Sequence, residues 1–295
     1  MPKMTDINKL PPFPKGMGSG SALGFTIDED DPTIRYKIWY GSEEERAFCE
    51  CSELCSSKQW KEAREKFDNL SELAYRFDWK LYARISTGIY MQNSSNKRQF
   101  DEACKSIRNW ASNDSSGGES DEIFEKLQEL IEARENNLLS HYDEDGDPNF
   151  DKASTAVLVE VASLWRQLFV LAEDNGICII DYAPDLPQER HQDIVEALVK
   201  RKDYESARYI IKKLFQVTTA IGENYYIQRF YVFDAELAEA MGKRSDAHEA
   251  YTKASEIDSD YDRYNDHDGG NELHGSHVES VPSGTLEQRI ERTTL

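Results

Sequence analysis

Cys49-x-Cys51-x3-Cys55 is the densest group of metal-type ligands in the sequence. Structural zinc sites space paired ligands two to four residues apart and need a second pair to complete a tetrahedron. On a helix of about 3.6 residues per turn, Cys49 and Cys51 point about 160° apart. Cys51 and Cys55 share a face with Leu54, while Cys104 and Cys178 stand alone, so these cysteines read as small buried hydrophobes. The run Asp143-Glu144-Asp145-Gly146-Asp147, with Asp151, has the carboxylate density of a calcium loop. Pro148 stands where an EF-hand needs glycine, and Ser154 where it needs a bidentate Glu. Asp-Gly-Asp-Pro is also the composition of a solvated inter-helix loop. His267, His274 and His277 fall among glycines and acids and read as solvated; His141, His191 and His248 are isolated. There is no Gly-x-Ser-x-Gly elbow, Walker loop, His-Glu-x-x-His pair or strand-fed dinucleotide fingerprint, and Gly16–Gly20 reads as a linker. The expectation is a protein with no catalytic signature, no metal and no cofactor.

A second kind of chemistry is ionic. Lys200, Arg201, Lys202, Arg208, Lys212 and Lys213, with Asp203 and Glu205, make a local +4 in a chain whose formal charge is −21. These six cations are the candidate partner-binding residues. The competing readings are a solvated helix C-terminus, where cations meet the negative end of the dipole, and pairing with acidic neighbours inside the fold. The overall negative charge argues against direct nucleic-acid binding or attraction to anionic lipid. It also admits an acidic mimic or chaperone of a basic partner. Thr293-Thr294-Leu295 has the form of a C-terminal PDZ ligand.

Positioning these residues falls to helices. Apolar residues recur at helical spacing over ten segments, near 43–56, 59–75, 79–92, 98–112, 120–140, 152–174, 188–200, 203–218, 223–241 and 244–257. Ser42 and Ser120 stand before acidic first turns; Gly176, Pro184 and Pro187 end the most apolar helix. That helix, over 153–172, is interrupted by Glu160, Arg166 and Gln167 and reads as a core helix, not a membrane span. Residues 1–40 read as a flexible arm, 41–259 as the helical domain, and 260–295 as a disordered acidic tail. Without a signal or transit pattern in the given sequence, the expected location is cytoplasmic.

Four helices open alike. Ala63, Ala103, Ala207 and Ala247 are followed at +4 by Phe67, Ile107, Ile211 and Tyr251, and at +7 by Leu70, Trp110, Leu214 and Ala254. Ala63 to Ala103 and Ala207 to Ala247 are each 40 positions apart. An alanine lets the preceding helix approach closely, and the side chains after it fill the groove between neighbouring pairs. Tyr231, Ala235 and Ala238 precede the last unit, and Asp258-Ser259 closes it; Cys51 and Leu54 precede the first. This pattern resembles the tetratricopeptide repeat. Spacings of 40 are long for that family, no unit ends in Pro, and residues 113–187 follow the pattern poorly. The resemblance implies an all-α stack of antiparallel helix pairs, a solenoid, that serves as a non-catalytic scaffold or adaptor for a protein partner. An enzyme with a dispersed site around Tyr182, Asp185 and His191 is the alternative, because catalytic groups converge only in the fold.

Overall fold

The computed structural model describes residues 43–69, 79–113, 119–143, 147–176, 179, 186–222, 224–257 and 276–294, with side chains from residue 50 onward. Among them are twelve α-helices, one 3-10 turn and no strand. The chain divides into two compact units within one helix, residues 1–134 and 135–295. The N-terminal arm, Cys49's side chain, Cys178, Tyr182, Asp185, His267 and His274 lie outside the described residues.

The first unit contains α1 (Glu43–Ser56), α2 (Trp60–Asp68), α3 (Trp79–Gln92), α4 (Lys97–Asn113) and most of α5 (Ser120–Leu138). Helices α1 and α2 form one hairpin and α3 and α4 another. Cys51, Cys55, Ala63, Phe67, Leu81 and Ile85 make a shared core, with Trp60 and Tyr82 packed against it. Trp60 lies on Gly88 so closely that a Cβ there would sit 2.3 Å from the indole, so α3 needs glycine at that point. Trp110 Nε1 donates to Glu119 at 2.6 Å, tying α4 to the residue that precedes α5.

The second unit contains a 3-10 turn (Phe150–Lys152), α6 (Thr155–Asp174), α7 (Leu186–Lys200), α8 (Tyr204–Leu214), the short α9 (Thr218–Ile221), α10 (Asn224–Ala240), α11 (Arg244–Glu256) and α12 (Leu286–Thr293). Ser154 caps α6 by accepting the Val157 N–H. Among the described residues α6 alone is long and apolar enough to cross a membrane, yet half of its most apolar window is buried in this unit. Its polar residues are engaged: Trp165 Nε1 donates to Glu135 at 3.0 Å and Arg166 Nε to the Lys213 carbonyl at 2.9 Å.

Three hairpins reverse direction in the same way. Lys58, Lys202 and Gly242 have left-handed φ values of 58°, 61° and 72°, and each stands five residues before a repeat alanine, Ala63, Ala207 or Ala247. The N–H groups of Gln59, Asp203 and Lys243 donate to the carbonyls of Leu54, Leu198 and Ala238 at 2.8–2.9 Å. Those of Lys58, Lys202 and Gly242 reach Cys55, Val199 and Glu239 at 2.8–3.0 Å. This doubled closure is a Schellman C-cap, which satisfies carbonyls that a helix end otherwise leaves open. The fourth hairpin, α3 to α4, turns over Asn93–Asn96, with Asn96 Oδ1 accepting the Gln99 N–H at 3.2 Å. All four repeat alanines are fully buried, as are Ile107, Ile211 and Tyr251, while Phe67 is nearly so.

The expected disordered tail over 260–295 does not hold at residues 276–294. Val278, Val281, Arg289 and Thr293 are buried, and α12 opens with a complete capping box of Thr285 and Gln288. The glycine- and charge-rich composition hides this order, because the buried group at the centre of α12 is an arginine. Of the PDZ-type ending, Leu295 lies outside the described residues. Thr293 is helical, and its hydroxyl donates to the Arg289 carbonyl at 2.9 Å.

A lysine in left-handed backbone costs on the order of 1 kcal/mol relative to glycine. Lys202→Gly is therefore expected to raise the denaturation midpoint by an amount equivalent to about 1 kcal/mol, and Gly242→Ala to lower it by a similar amount, in urea titrations followed by circular dichroism.

Candidate functional site on the C-terminal hairpin

Small residues dominate the seam between α10 and α11. Ala235, Ala238, Ala247, Ala250 and Ala254 form its buried core with Val232 and Tyr251. Close approach of the two helices leaves acidic side chains projecting from both flanks of α10. Asp234 and Glu236 are two positions apart and so point to nearly opposite sides. Asp234 turns towards α8, and Glu236 turns towards the C-terminal segment.

On the α8 side, Arg208 is buried and bridges three helices. Its Nε donates to Asp234 Oδ1 at 2.6 Å and its Nη1 to Asp246 Oδ2 at 2.7 Å. Burial opposes the guanidinium charge, but the bonds to Asp234 and Asp246 outweigh it and hold Arg208 above its ordinary pKa. The same bond holds the Asp246 carboxyl below the usual carboxylate range.

The other predicted cations separate. Arg201 is bonded through its two terminal nitrogens to the carbonyls of Ala153 and Phe150, fastening the 3-10 turn to the end of α7. Lys200 pairs with Asp151 at 3.1 Å. Lys202 occupies the left-handed turn position and is exposed. Lys212 is exposed on α8, and Lys213 lies 5.7 Å from the ring of Tyr209, which is itself 53 % exposed. The six cations are thus not one surface: Arg208 and Arg201 join parts of the fold, Lys200, Lys202 and Lys212 are exposed, and Lys213 is half-buried.

On the opposite flank, residues 276–294 cover α10 and α11. The His277 ring stacks on Phe233 at 4.1 Å, and the His277 backbone N–H donates to Glu236 Oε2 at 2.8 Å. Arg289 Nη1 bonds to Glu236 Oε1, with both side chains fully buried, and Arg289 Nε donates to the Gly284 carbonyl at 2.9 Å. Arg292 forms a two-pronged contact with Glu239 at 2.8 and 3.0 Å. Tyr251 donates to the same Glu239 at 3.2 Å, and the Arg289 guanidinium lies 5.8 Å from the Tyr251 ring. Leu286 and Ile290 pack on the Val232–Tyr251 core. Arg244 Nη2 donates to the Arg292 carbonyl at 2.5 Å, closing the end of α12. The bond to Glu239 raises Arg292, while burial pushes the Tyr251 phenol up and the His277 imidazole down. Sequence reasoning missed Glu236, Glu239, Arg289 and Arg292. The available signal was the spacing of Leu286, Arg289, Ile290 and Thr293 at i, i+3, i+4 and i+7 behind Thr285 and Gln288.

The other candidate residues that the structure describes are placed as follows. Cys51, Cys55 and Cys104 are buried and form no disulfide, and burial pushes the Cys104 thiol up to about 12. Among the described residues no group of three or more His, Cys, Asp or Glu is placed to hold a metal. Residues 144–146 of the acidic loop lie outside the described residues; Asp143 Oδ1 accepts the Asp147 N–H at 2.9 Å, and Asp151 pairs with Lys200. A cleft of about 220 Å³ beside that loop is lined by Ser140, His141, Asn149, Lys152 and Ser154, among others. His191 is buried with Nδ1 2.7 Å from the Pro187 carbonyl and its ring 5.6 Å from Phe169. Burial lowers its pKa to about 4.

Two measurements follow. Arg208→Ala strands a buried Asp234 carboxylate and should cost about 3–5 kcal/mol, read as a loss of denaturation midpoint. His191 binds a proton less readily folded than unfolded, so its contribution is complete above about pH 6.5 and is lost as pH falls towards 4. From pH 7.5 to 5 that loss amounts to about 2 kcal/mol, and His191→Asn should flatten this part of the stability–pH curve. Comparison of the chain with protein-family models, with curated proteins and with solved structures finds no match.

Proposed function

We propose that this chain is a non-catalytic protein-interaction module, a scaffold or adaptor whose helix pairs are divergent tetratricopeptide-like repeats and hold a partner segment on a hairpin face. The observation that carries the reading is the nineteen-residue segment seated on α10 and α11. An amphipathic helix is held there by two arginine–glutamate contacts, a stacked ring and two aliphatic side chains. A hairpin that reads one segment by charge and shape has the properties needed to read another. The common turn geometry and the buried alanines support the repeat part of the proposal. The exposed Tyr209 and Lys212 on α8, with the half-buried Lys213 beside the Tyr209 ring, offer a second place for a partner's acidic or aromatic groups.

Crosslinking of the purified full chain to a purified host partner, with the crosslinks mapped by mass spectrometry, tests this. Crosslinks on α8, α10 or α11, and an affinity that changes only modestly between 50 and 300 mM salt, are the expected result. A steep loss with salt favours the acidic-mimic alternative. Reproducible turnover of a small molecule by the purified chain, with no saturable partner, overturns the proposal.

A further inference from the structure

The contact between residues 276–294 and the hairpin has an unusual balance. Its inner face, Leu286, Arg289, Ile290 and Thr293, places a charged group where a packed helix normally carries an apolar one. The outer face, Glu287, Gln288, Glu291 and Thr294, is exposed. The anchor is a fully buried pair, Arg289 with Glu236, reinforced by Arg292 on Glu239. Buried ion pairs discriminate sharply between partners but add little net hold, because desolvation offsets most of the attraction. The helix itself has eight residues, well short of the roughly 12–15 at which an isolated helix becomes even marginal. It is therefore shaped by the face it sits on. Undocking returns Glu236 and Glu239 to water and uncovers the part of the α10–α11 core that Leu286 and Ile290 pack against.

From these features we infer that the Glu236–Glu239 face of α10 is a docking site for a short amphipathic helix of a partner protein. The recognition chemistry is an aliphatic residue, an arginine three positions on, a second aliphatic next to it and an arginine two beyond that. The chain's own Leu286-x2-Arg289-Ile290-x-Arg292 occupies the site in cis. This rests on the interaction-module reading above and names the class of segment that the module takes. Leu286 and Ile290 supply the apolar contacts, the two guanidiniums select the face through Glu236 and Glu239, and His277 on Phe233 fixes the direction of the chain. A segment tethered in cis competes at an effective concentration on the order of millimolar, so an untethered helix occupies the site only where its affinity for the face exceeds that of the chain's own segment in proportion.

A labelled synthetic peptide of residues 276–295, titrated into full-length chains and followed by fluorescence anisotropy, is the probe. In the wild type the site is occupied and the peptide binds weakly. The double variant Arg289→Ala, Arg292→Ala vacates the site in cis and is expected to bind the peptide at least tenfold more tightly than the wild type. Adding Glu236→Ala and Glu239→Ala to that variant is expected to abolish the gain. Circular dichroism and thermal melts of each chain accompany the titrations. The inference is overturned if the arginine-free chain, still helical and cooperative, gains no affinity, or if the gain survives removal of both glutamates. Loss of the cooperative melt in that chain overturns it too, because the segment is then a fixed part of the unit's core. If partner crosslinks appear on the hairpins while peptide exchange fails, only this site assignment falls, and the interaction-module reading stands on its own experiment.

Discussion

The constraint on which the structure depends is the distance at which two helices of a hairpin can lie. An alanine at the crossing removes side-chain bulk, and the chain must then reverse in very few residues to bring the helices together. Ala63, Ala207 and Ala247 are fully buried, and each follows a left-handed turn residue by the same five positions. The turn and the notch are therefore one device. The doubled capping bonds fix where the second helix starts, and the alanine decides how near it comes to the first. The larger residues at +4, from Phe67 to Tyr251, then have a defined groove to fill.

Charge in this protein is used for joining. A chain of net −21 has acids in excess, and the buried ones are matched to specific cations. Asp234 faces Arg208 on one flank of α10, and Glu236 faces Arg289 on the other. Glu135 takes the indole N–H of Trp165 and lies 3.9 Å from Arg190. A cationic stretch that stands out in an acidic sequence is thus no guide to a surface by itself. Arg201 and Arg208 came to notice because they are charged, yet what they do is bond carbonyls and carboxylates of neighbouring helices.

Helix positions were legible because they rest on local periodicity and punctuation. The ten expected segments match α1 to α8, α10 and α11 within a few residues where both are described, the four-residue α9 has no counterpart among them, and the repeat alanines are buried as their spacing implies. Residues 276–294 carry only the short spacing signal of α12, and their order depends on pairing with Glu236 and Glu239, 53 positions away from Arg289 and Arg292. Composition counts glycines and charges, and Arg289 contributes to the appearance of disorder while acting as the best-buried residue of its helix. His191 shows the same limit in the other direction. Its isolation in sequence gave no partner for it, and in the fold its ring nitrogen lies against the Pro187 carbonyl of its own helix.

The cysteines of the first unit also act as internal reporters. Cys51 and Cys55 belong to the α1–α2 hairpin and Cys104 to α4, all shielded from solvent. A buried thiol is alkylated only during a transient opening of the structure around it. The rate at which a maleimide reacts at each position therefore clocks the breathing of one hairpin at a time, with no cysteine introduced.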